Sequence, residues 1–469
     1  MRRRLAKILA TIGPASAAPD TLRLLHDVGV DAFRLNFSHG SHEDHARSIK
    51  AIRAIEQAAE TPITIVADMQ GPKLRVGEFD SGAITLNYGE TVSLVLAKTT
   101  DTNGTIPINH PELFKALQAD HQLKFDDGKL LVTILENDGT EMKARVDVPG
   151  ILKNKKGINV IGVTLPLSAM TEKDRVDMKF ALSKDVDFIA LSFVQNAQDV
   201  KEARAIVGDR AGIIVKIEKP SAVEELDDIL ELADAAMVAR GDLGVELPLE
   251  RVPVVQRQLI RAARALGKPV IVATHMLESM IDAPTPTRAE ASDVATAIYQ
   301  GADAVMLSAE TAVGRHPATA VAIMDRIISA AESDPEFWNY FASRPLSLDA
   351  TSEDAVSNSV RGIAALLKCK AALGYTASGS TVQRISRERP PCQIVGLTPN
   401  TRTASRLALS WGVMPVVTKD PSSFDDMVEI ARQVAKDKLG VTSGDRIVIT
   451  AGIPFGHIGT TNTLKIDTI

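Results

Sequence analysis

The sequence is poor in aromatic residues and has no excess of basic ones. Phe, Trp and Tyr make up 4% of the 469 residues, and 53 Lys and Arg stand against 59 Asp and Glu, for a net charge of -6. Single-stranded nucleic acid is bound on aromatic stacking platforms, while duplexes and anionic membranes attract a broad basic field. The composition therefore argues against nucleic-acid and membrane partners. Basic side chains are interpreted here as parts of local sites.

Cysteine and long apolar runs are also scarce. Cys369 and Cys392 are the only cysteines, and no metal-ligand spacing surrounds them. A disulfide framework is thus excluded and a reduced, cytoplasmic setting is expected. No stretch approaches the roughly 20 apolar residues of a membrane span. The basic start, Met1 to Arg4, leads into a short apolar run that Lys7 interrupts, which favours a first strand over a signal peptide.

Short, β-branched apolar runs alternate with helical patterns along most of the chain. They lie at 6–12, 31–37, 63–69, 187–193, 213–218, 235–241, 269–275 and 304–310. Continuous apolar runs are typical of parallel strands, and strand–helix alternation predicts right-handed βαβ units. Eight such units are the number that closes a (β/α)8 barrel.

Two regions interrupt this alternation. At 71–165 helical spacing gives way to alternating segments separated by Asp-Gly, Asn-Gly and Pro-Gly turns, and after about 343 a new strand–helix alternation begins. The sequence predicts an α/β protein: a TIM barrel from residues 1–70 and 166–342, an inserted small β-barrel lid domain at 71–165, and a C-terminal open α/β domain at 343–469. The two ends of the insertion must lie close together, as in a lid that closes over the barrel mouth.

Polar residues follow nearly every predicted strand. They are Thr11, Arg34, Asn36, Ser38, Asp68, Ser192, Lys216, Glu218, Arg240, Asp242, Thr274, Ser308 and Glu310. Any one of them is explained by helix capping or turn formation. The recurrence of charged residues favours instead a shared site at the carboxyl face of the barrel, where catalytic groups of such enzymes lie.

Three of these residues suggest a cation site. Strand alternation places Lys216 and Glu218 on one side, and Asp242 follows the next strand. Two carboxylates, with the other positions left to water and substrate, commonly hold Mg2+ or Mn2+. A metal beside a lysine suits phosphoryl transfer, in which negative charge must be neutralised. The alternative is an ordinary Lys–Glu ion pair on the barrel floor.

The segment around Arg34 carries further candidates. Arg34 is suited to bidentate binding of phosphate or carboxylate. Asn36 and Ser38, with Asp68, form an oxygen-rich cluster fit for a cation, although turn capping also explains the first two. Thr274 is placed to orient a water or donate a proton, with a helix N-cap as the alternative.

Several segments together resemble the pyruvate kinase family. They are ATIGPAS at 10–16, RLNFSHG at 34–40, KIE at 216–218, MVARGDLGVE at 237–246, ATHMLESM at 273–280, PTRAE at 286–290 and VMLSAET at 305–311. The resemblance runs from about residue 5 to the C-terminus, and the stretch around Asp242 is the most specific to the family.

This resemblance implies transfer of the phosphoryl group of phosphoenolpyruvate to ADP, giving pyruvate and ATP. It implies that Glu218 and Asp242 hold the divalent metal, that Lys216 stabilises the phosphoryl group and the enolate, and that Thr274 helps to protonate the enolate carbon. A second Mg2+ is expected to arrive with the nucleotide. A homotetramer is also implied.

The same resemblance implies further ligand-binding residues. Those expected to contact phosphates are Arg34, His39, Arg75 and Lys156. Those expected around the substrate carboxylate, mainly through their backbone, are Ala239, Arg240, Gly241 and Asp242.

The sequence departs from the common family pattern at a potassium site. Asn36, Ser38 and Asp68 match the residues of that site in K+-dependent members, but Met69 replaces a Thr whose carbonyl is used. Lys73 stands where those members have Glu. A lysine ammonium and K+ at about 4 Å would repel by several kcal/mol at an intermediate dielectric. The sequence therefore predicts turnover without K+, with Lys73 as the surrogate charge, unless Lys73 turns into solvent and K+ still binds.

His275 stands where Gln is common in the family. Its imidazole either tunes proton delivery by Thr274 or is a packed neutral side chain.

A second phosphate site is predicted in the C-terminal domain. Thr376, Ser378, Gly379, Ser380 and Thr381 lie between a strand and a helix, where hydroxyls and backbone N–H groups form an anion site. In relatives the equivalent loop binds the phosphate of an allosteric effector. A capped turn is the alternative. The ending at 455–463 is a second loop that could close over it.

Two other functions fit part of the pattern. A Mg2+-dependent lyase or aldolase acting on an oxo-acid would use a similar lysine and two carboxylates, but would leave Arg75 and Lys156 without a role. A metabolite sensor that uses only its C-terminal domain would not need Lys216, Glu218 and Asp242 in the barrel.

Overall fold

The computed structural model describes residues 4–163, 165–343, 346, 349–454 and 461–469. The first barrel strands and helices are β1 (Lys7–Ile12), α1 (Pro19–Val28), β2 (Ala32–Asn36), α2 (His42–Ala59) and β3 (Thr64–Asp68). Local sequence fixes where α2 begins: the Ser41 hydroxyl accepts the Asp44 backbone N–H, and the Asp44 carboxylate accepts that of Ser41. Helix α1 begins with a proline, whose fixed φ suits a first turn.

An all-β domain with one short helix follows β3. Its members are β4 (Glu78–Phe79), β5 (Ala83–Leu86), β6 (Thr91–Val95), β7 (Thr99–Thr100), β8 (Thr105–Pro107), α3 (Pro111–Ala116), β9 (Gln122–Phe125), β10 (Leu130–Asn137), β11 (Glu141–Val148), β12 (Gly150–Lys153) and β13 (Ile158–Ile161). Six strands form one sheet in the order β13-β9-β10-β11-β6-β8, and β12-β5 and β4-β7 pair separately. Burial alternates along β11, so one face of the sheet covers a core of its own.

The barrel resumes after this insertion. Its remaining members are α4 (Glu172–Ser183), β14 (Phe188–Leu191), α5 (Ala197–Val207), β15 (Gly212–Ile217), α6 (Pro220–Glu224), α7 (Leu226–Leu232), β16 (Ala235–Ala239), α8 (Arg240–Glu246), α9 (Val252–Ala265), β17 (Val270–Ala273), α10 (Arg288–Gln300), β18 (Ala304–Leu307), α11 (Ala309–Ala312), α12 (Pro317–Ser333) and α13 (Pro335–Ser343). Single 3-10 turns lie at Leu249–Arg251 and Glu278–Ile281.

The eight long parallel strands close on themselves in the order β1-β18-β17-β16-β15-β14-β3-β2. Strands β3 and β14 to β18 are buried along their whole length, as their continuous apolar runs predicted. This confirms the predicted (β/α)8 barrel. Several predicted strand ends were wrong, because the backbone leaves the ladder earlier: Glu218 and Thr274 lie just beyond their strands, and Glu310 lies in α11.

The C-terminal region is an open α/β domain, as predicted. It contains α14 (Ser352–Leu367), β19 (Ala371–Tyr375), α15 (Ser380–Glu388), β20 (Gln393–Thr398), α16 (Thr401–Leu407), β21 (Val413–Val417), α17 (Phe424–Leu439), β22 (Arg446–Ala451) and β23 (Thr463–Thr468). The sheet order is β21-β20-β19-β22-β23, with β23 as an antiparallel edge. Residues 1–3, the proposed boundary at 344–345 and most of the predicted closing loop, 455–460, lie outside the described residues.

Across the ranges given above, no helix combines the length and apolar character needed to cross a membrane.

Candidate active site

Lys216 lies near the carboxyl end of β15, and oxygen atoms surround its ammonium. The Nζ atom is 2.7 Å from Ser192 Oγ, 3.0 Å from Glu218 Oε1 and 3.3 Å from Asp68 Oδ1. Burial disfavours the charged form, but the carboxylates of Asp68 and Glu218 outweigh it and raise the pKa of Lys216 above its ordinary value. The side chain is therefore a fixed cation, and the Lys216–Glu218 ion pair that the sequence left as the alternative to a metal site is present in the structure.

Asp68 joins Lys216 to a second cation. The register of β2 and β3 places Asn36 beside Asp68, and Arg34 Nε lies 2.6 Å from Asp68 Oδ2. Arg34 also donates to Thr11 Oγ1 at 3.1 Å. Burial alone would raise the pKa of Asp68, yet Lys216 and Arg34 hold it below its usual value. Two cationic side chains thus converge on this face of the barrel, held by one buried carboxylate.

Glu218 has an oxygen that the protein leaves without a hydrogen bond. Its Oε2 accepts the backbone N–H of Phe193 at 2.7 Å. Its Oε1 lies near the Lys216 ammonium but outside hydrogen-bond alignment, and it has no other partner among the described residues. Burial, together with the charge of Asp242, raises the pKa of Glu218 to about 7. A divalent cation would relieve both the repulsion and the unsatisfied oxygen, so Glu218 and Asp242 fit the predicted metal pair.

Asp242 reaches this site from the first turn of α8, which follows β16 directly. Within the described ranges, no group of three or more His, Cys, Asp or Glu side chains could hold a metal by itself. The site therefore supplies two carboxylates and leaves other coordination positions to water and substrate, which is the arrangement that Mg2+ commonly takes.

The turn after β17 adopts an unusual backbone conformation. Thr274 and His275 have φ of 67° and 55°, a region that a β-branched residue such as threonine rarely enters. The Thr274 hydroxyl accepts the Gly241 N–H at 2.7 Å and donates to the Ala273 carbonyl at 2.7 Å. These bonds offset the strain and hold the hydroxyl against the start of α8. The predicted residues Thr274 and Gly241 are therefore in direct contact.

The side chain of Arg240 is held by protein partners. Its guanidinium lies 2.6 Å from an Asp293 oxygen and donates to the Thr274 carbonyl at 2.7 Å. Arg240 consequently fixes the Thr274 turn, and only its backbone remains for the predicted contact with a carboxylate, together with Ala239 and Gly241.

The inserted domain lies over this face of the barrel. A small cavity between the two is bounded by Lys73 and Asn159 on the lid side and by Phe193 and Asp242 on the barrel side. Lys124 Nζ donates to the Val245 carbonyl at 2.7 Å, and Asn159 Nδ2 donates to Glu246 Oε1 at 3.0 Å. The lid thus contacts α8, the helix that carries Asp242.

The predicted phosphate-binding residues of the lid lie on its exposed surface. Arg75 donates to the Lys155 carbonyl at 2.9 Å, and the Lys156 ammonium lies 2.8 Å from Asp126 Oδ1. The hydrogen bond that the Lys156 ammonium donates to Asp126 raises the pKa of Lys156. Both cations are next in sequence to residues that line the cavity, Leu74 and Gly157, and cations at this place are suited to phosphate.

Known proteins resemble this chain in both its barrel and its C-terminal domain. A family model described as "Pyruvate kinase, barrel domain" matches residues 3–321, and one described as "Pyruvate kinase, alpha/beta domain" matches residues 354–467. A curated pyruvate kinase of Methylorubrum extorquens is 46% identical over 465 residues, covering 99% of this chain and 97% of the relative. Relatives of the same name from Agrobacterium vitis and Staphylococcus aureus are 47% and 41% identical over 471 residues each, covering 99% of this chain and 96% and 80% of the relatives.

The chain belongs to the pyruvate kinase family. It is accordingly a phosphotransferase, as the resemblance implied.

The cluster that matches the potassium site of the pyruvate kinase family is already paired internally. Asn36 Oδ1 accepts the Ser38 N–H at 3.1 Å, which is the turn-capping alternative. The Met69 carbonyl accepts the Ser192 hydroxyl at 2.8 Å, and both Asp68 oxygens face Arg34 or Lys216. Most of the oxygen atoms that would bind a monovalent cation thus already accept hydrogen bonds from the protein or pair with its cationic side chains.

Lys73 is exposed at the edge of the lid cavity. Within the described ranges its ammonium makes no hydrogen bond or ion pair, and the structure does not bring it into contact with Asn36, Ser38 or Asp68. His39 is exposed as well, and its carbonyl accepts from His45 Nε2 at 3.0 Å.

The predicted effector loop forms a tight turn at the start of α15. Gly379 has a φ of 101° and donates its N–H to Thr376 Oγ1 at 2.8 Å. Ser378 is exposed, with its hydroxyl 3.2 Å from that of Ser380. Thr381 is buried against Thr461 at 2.6 Å. The exposed Ser378 hydroxyl thus lies at the start of α15, and the amino end of a helix favours an anion.

Sequence reasoning gave no role to two residues of this pyruvate kinase site. Ser192 was noted only as a strand-end residue, yet it links Lys216 to the Met69 carbonyl. The Phe193 N–H, presented by a residue with φ of 56°, holds Glu218. The position of Ser192 after a strand is a feature of the sequence that could have indicated its role. No feature of the sequence identifies a backbone N–H, such as that of Phe193, as a donor to Glu218.

Proposed function

We propose that this protein transfers the phosphoryl group of phosphoenolpyruvate to ADP, giving pyruvate and ATP. The observation that carries the proposal is the buried Lys216 ammonium between Asp68 and Glu218, with Asp242 adjacent. A divalent metal held by Glu218 and Asp242 would supply positive charge to the transferring group and the enolate oxygen. We also propose a homotetramer, on the family resemblance alone.

The residues have separate tasks in this reaction. The bond from phosphorus to the enol oxygen breaks, a bond to the terminal phosphate oxygen of ADP forms, and the enolate carbon takes a proton. Lys216 and Arg34 neutralise charge on the phosphoryl group, and Lys216 also faces the enolate oxygen. The backbone at Ala239–Gly241 positions the carboxylate, and the Thr274 hydroxyl orients the proton donor.

A pyruvate-release assay with and without ADP and Mg2+ tests the reaction. Release that needs ADP and yields ATP in equal amount supports the proposal. Pyruvate formed from other oxo-acids without ADP would support the lyase or aldolase instead, while no turnover of any kind would leave the sensor function.

We further propose that turnover does not require K+. The oxygens of the matching site are largely paired with Arg34, Lys216 and Ser192, and Lys73 adds a fixed positive charge at the cavity edge. Steady-state rates in K+- and Na+-free buffer are expected to change little when KCl is added. A rise of about tenfold or more would contradict the proposal, because it corresponds to over 1 kcal/mol of transition-state stabilisation by the ion.

The Lys73→Glu variant sharpens this test. With a carboxylate in place of the ammonium, we expect the rate in K+-free buffer to fall and KCl to restore part of it. Lys98→Glu makes the same charge change at an exposed position elsewhere in the lid and should gain no K+ activation.

We also propose that a phosphorylated metabolite, a sugar phosphate or a nucleoside monophosphate, activates the enzyme by binding the turn from Thr376 to Thr381. Its exposed hydroxyls and the start of α15 support this assignment. The Ser378→Asp variant places a carboxylate where the phosphate would lie. We expect it to lose activation by a panel of such compounds and to keep basal turnover, whereas Ser378→Ala should retain a weakened response. A full response in Ser378→Asp would place the effector elsewhere.

A further inference from the structure

A very small cavity lies between the amino end of the barrel and the C-terminal domain. The volume in which the centre of a water molecule can lie is about 10 Å³, so the cavity has room for one water or one monatomic ion. The polar residues that concern the argument are Arg264, Lys268 and Asp303 from the barrel side and Arg387, Arg389 and Ser410 from the C-terminal domain. The cavity therefore sits on the junction through which the two domains contact each other.

The charged lining of this junction cavity is strongly unbalanced. Four cationic side chains face it against one carboxylate, that of Asp303. The Asp303 oxygens are already used: Oδ1 accepts the Trp411 N–H at 3.1 Å and forms an ion pair with Arg389 Nη2 at 3.1 Å, and Oδ2 accepts the Val270 N–H at 3.0 Å. Arg387 is partly compensated by Asp354 and Glu388, at 2.7 and 3.0 Å. The carboxylates near Arg264 are those of Asp303 and Glu388, and each already pairs with another arginine.

Four lining residues also carry buried polar atoms that make no hydrogen bond among the described residues. One of them, Arg387 Nη2, lies 2.7 Å from an Asp354 oxygen, so the other three concern the argument. Across the described ranges, Arg264 Nε, Arg389 Nε and Ser410 Oγ make no hydrogen bond. Other donors on the two arginines are satisfied, Arg264 Nη2 by the Arg387 carbonyl at 2.8 Å and Arg389 Nη1 by the Ser386 carbonyl at 2.7 Å. A guanidinium N–H can only donate, so the partner that this cavity lacks is an acceptor.

The electrostatic environment of Arg264 also favours a negatively charged acceptor in the cavity. Burial, and then the like charge of Arg389, lowers the pKa of Arg264 to about 9, well below the ordinary value for arginine. Unpaired buried donors and neighbouring like charges are both costly, and a single negative charge in the cavity would offset both.

We propose that this junction cavity binds one small inorganic anion of the halide class, with chloride as the physiological occupant. The ion accepts hydrogen bonds from Arg264, Arg389 and Ser410 and ties the barrel to the C-terminal domain. The volume excludes phosphate, sulfate and carboxylates. A single neutral water is the competing occupant, and it leaves the excess positive charge uncompensated.

Thermal unfolding of the full chain tests the proposal. Titration with NaCl is compared with sodium gluconate at equal ionic strength, since gluconate is too large for the cavity. A ligand that binds only the folded state raises the midpoint by mass action, and we expect a saturating rise of about 2–4 °C specific to chloride. Identical midpoints in the two salts would overturn the proposal.

Variants locate the effect. Arg264→Met and Ser410→Ala should lose most of the chloride-specific rise, whereas Arg257→Met, at an exposed position on the same helix, should keep it. A rise that all three variants retain would place the ion elsewhere and overturn the assignment. If Arg264→Met does not fold, Ser410→Ala and crystals of the unaltered protein in NaBr decide: an anomalous bromide peak in the cavity supports the proposal, and a water without anomalous signal contradicts it.

Discussion

Replacing Lys216 by methionine is expected to lower kcat by about 10³–10⁵-fold, the range seen when a cation that neutralises a transferring phosphoryl group is removed. Methionine keeps most of the side-chain volume but not the ammonium that lies 3.0 Å from Glu218 and 3.3 Å from Asp68. The loss should appear in kcat more than in KM, because the cation acts mainly on charge that develops during transfer. The measurement is steady-state pyruvate formation at saturating substrates.

The variant also leaves buried carboxylates with one cation fewer, so its folding must be checked. Asp68 keeps Arg34 as a partner, and circular dichroism with thermal unfolding should show a folded protein of reduced stability. Lys268→Met, a half-buried lysine at the opposite end of the barrel, provides the matched control and should not show a comparable loss of kcat. A Lys216→Met enzyme within tenfold of the unaltered rate would rule out the proposed role.

Replacing Asp242 by asparagine is expected to weaken metal binding and to lower activity at fixed Mg2+ by about 10²–10³-fold, comparable with the loss of one preorganised electrostatic group. The change preserves shape and removes one of two negative charges. The same change should bring the pKa of Glu218 closer to the ordinary value for glutamate, because the charge of Asp242 contributes to the raised pKa of Glu218. Excess Mg2+ or Mn2+ should recover part of the activity, which separates a metal defect from misfolding.

Glu246→Gln is the matched control for this second substitution. Glu246 lies on the same short helix, is buried, and pairs with Lys219 at 2.7 Å and Asn159 at 3.0 Å. Its replacement should cost stability at the lid contact while leaving the Mg2+ concentration dependence unchanged. If both variants shift that dependence equally, the helix and not the carboxylate of Asp242 is responsible.

The architecture could be predicted because it depends on local patterns. Continuous apolar runs identified all eight barrel strands, and Gly-rich turns marked the insertion. The ends of strands were less predictable, since they depend on contacts made after folding. Glu218 turns out of the ladder toward the Phe193 N–H, and Thr274 takes a positive φ supported by the Gly241 N–H.

The residue types of the site could be predicted, but their pairing could not. Lys216, Glu218 and Asp242 were chosen because charged residues recur after strands. That Asp68 serves both Arg34 and Lys216 depends on barrel register, which brings together side chains from β2, β3 and β15. The ion pair between the Arg240 side chain and Asp293 likewise depends on the folded barrel, and no local pattern in the sequence indicates it.

Manganese binding tests the central claim most directly, because Mn2+ replaces Mg2+ and is visible by anomalous scattering. In crystals soaked with Mn2+, we expect an anomalous peak in contact with carboxylate oxygens of both Glu218 and Asp242, with the Glu218 oxygen that now lacks a hydrogen bond among its ligands. An ion bound elsewhere, or none at these carboxylates at saturating Mn2+, would contradict the account of how this barrel neutralises charge.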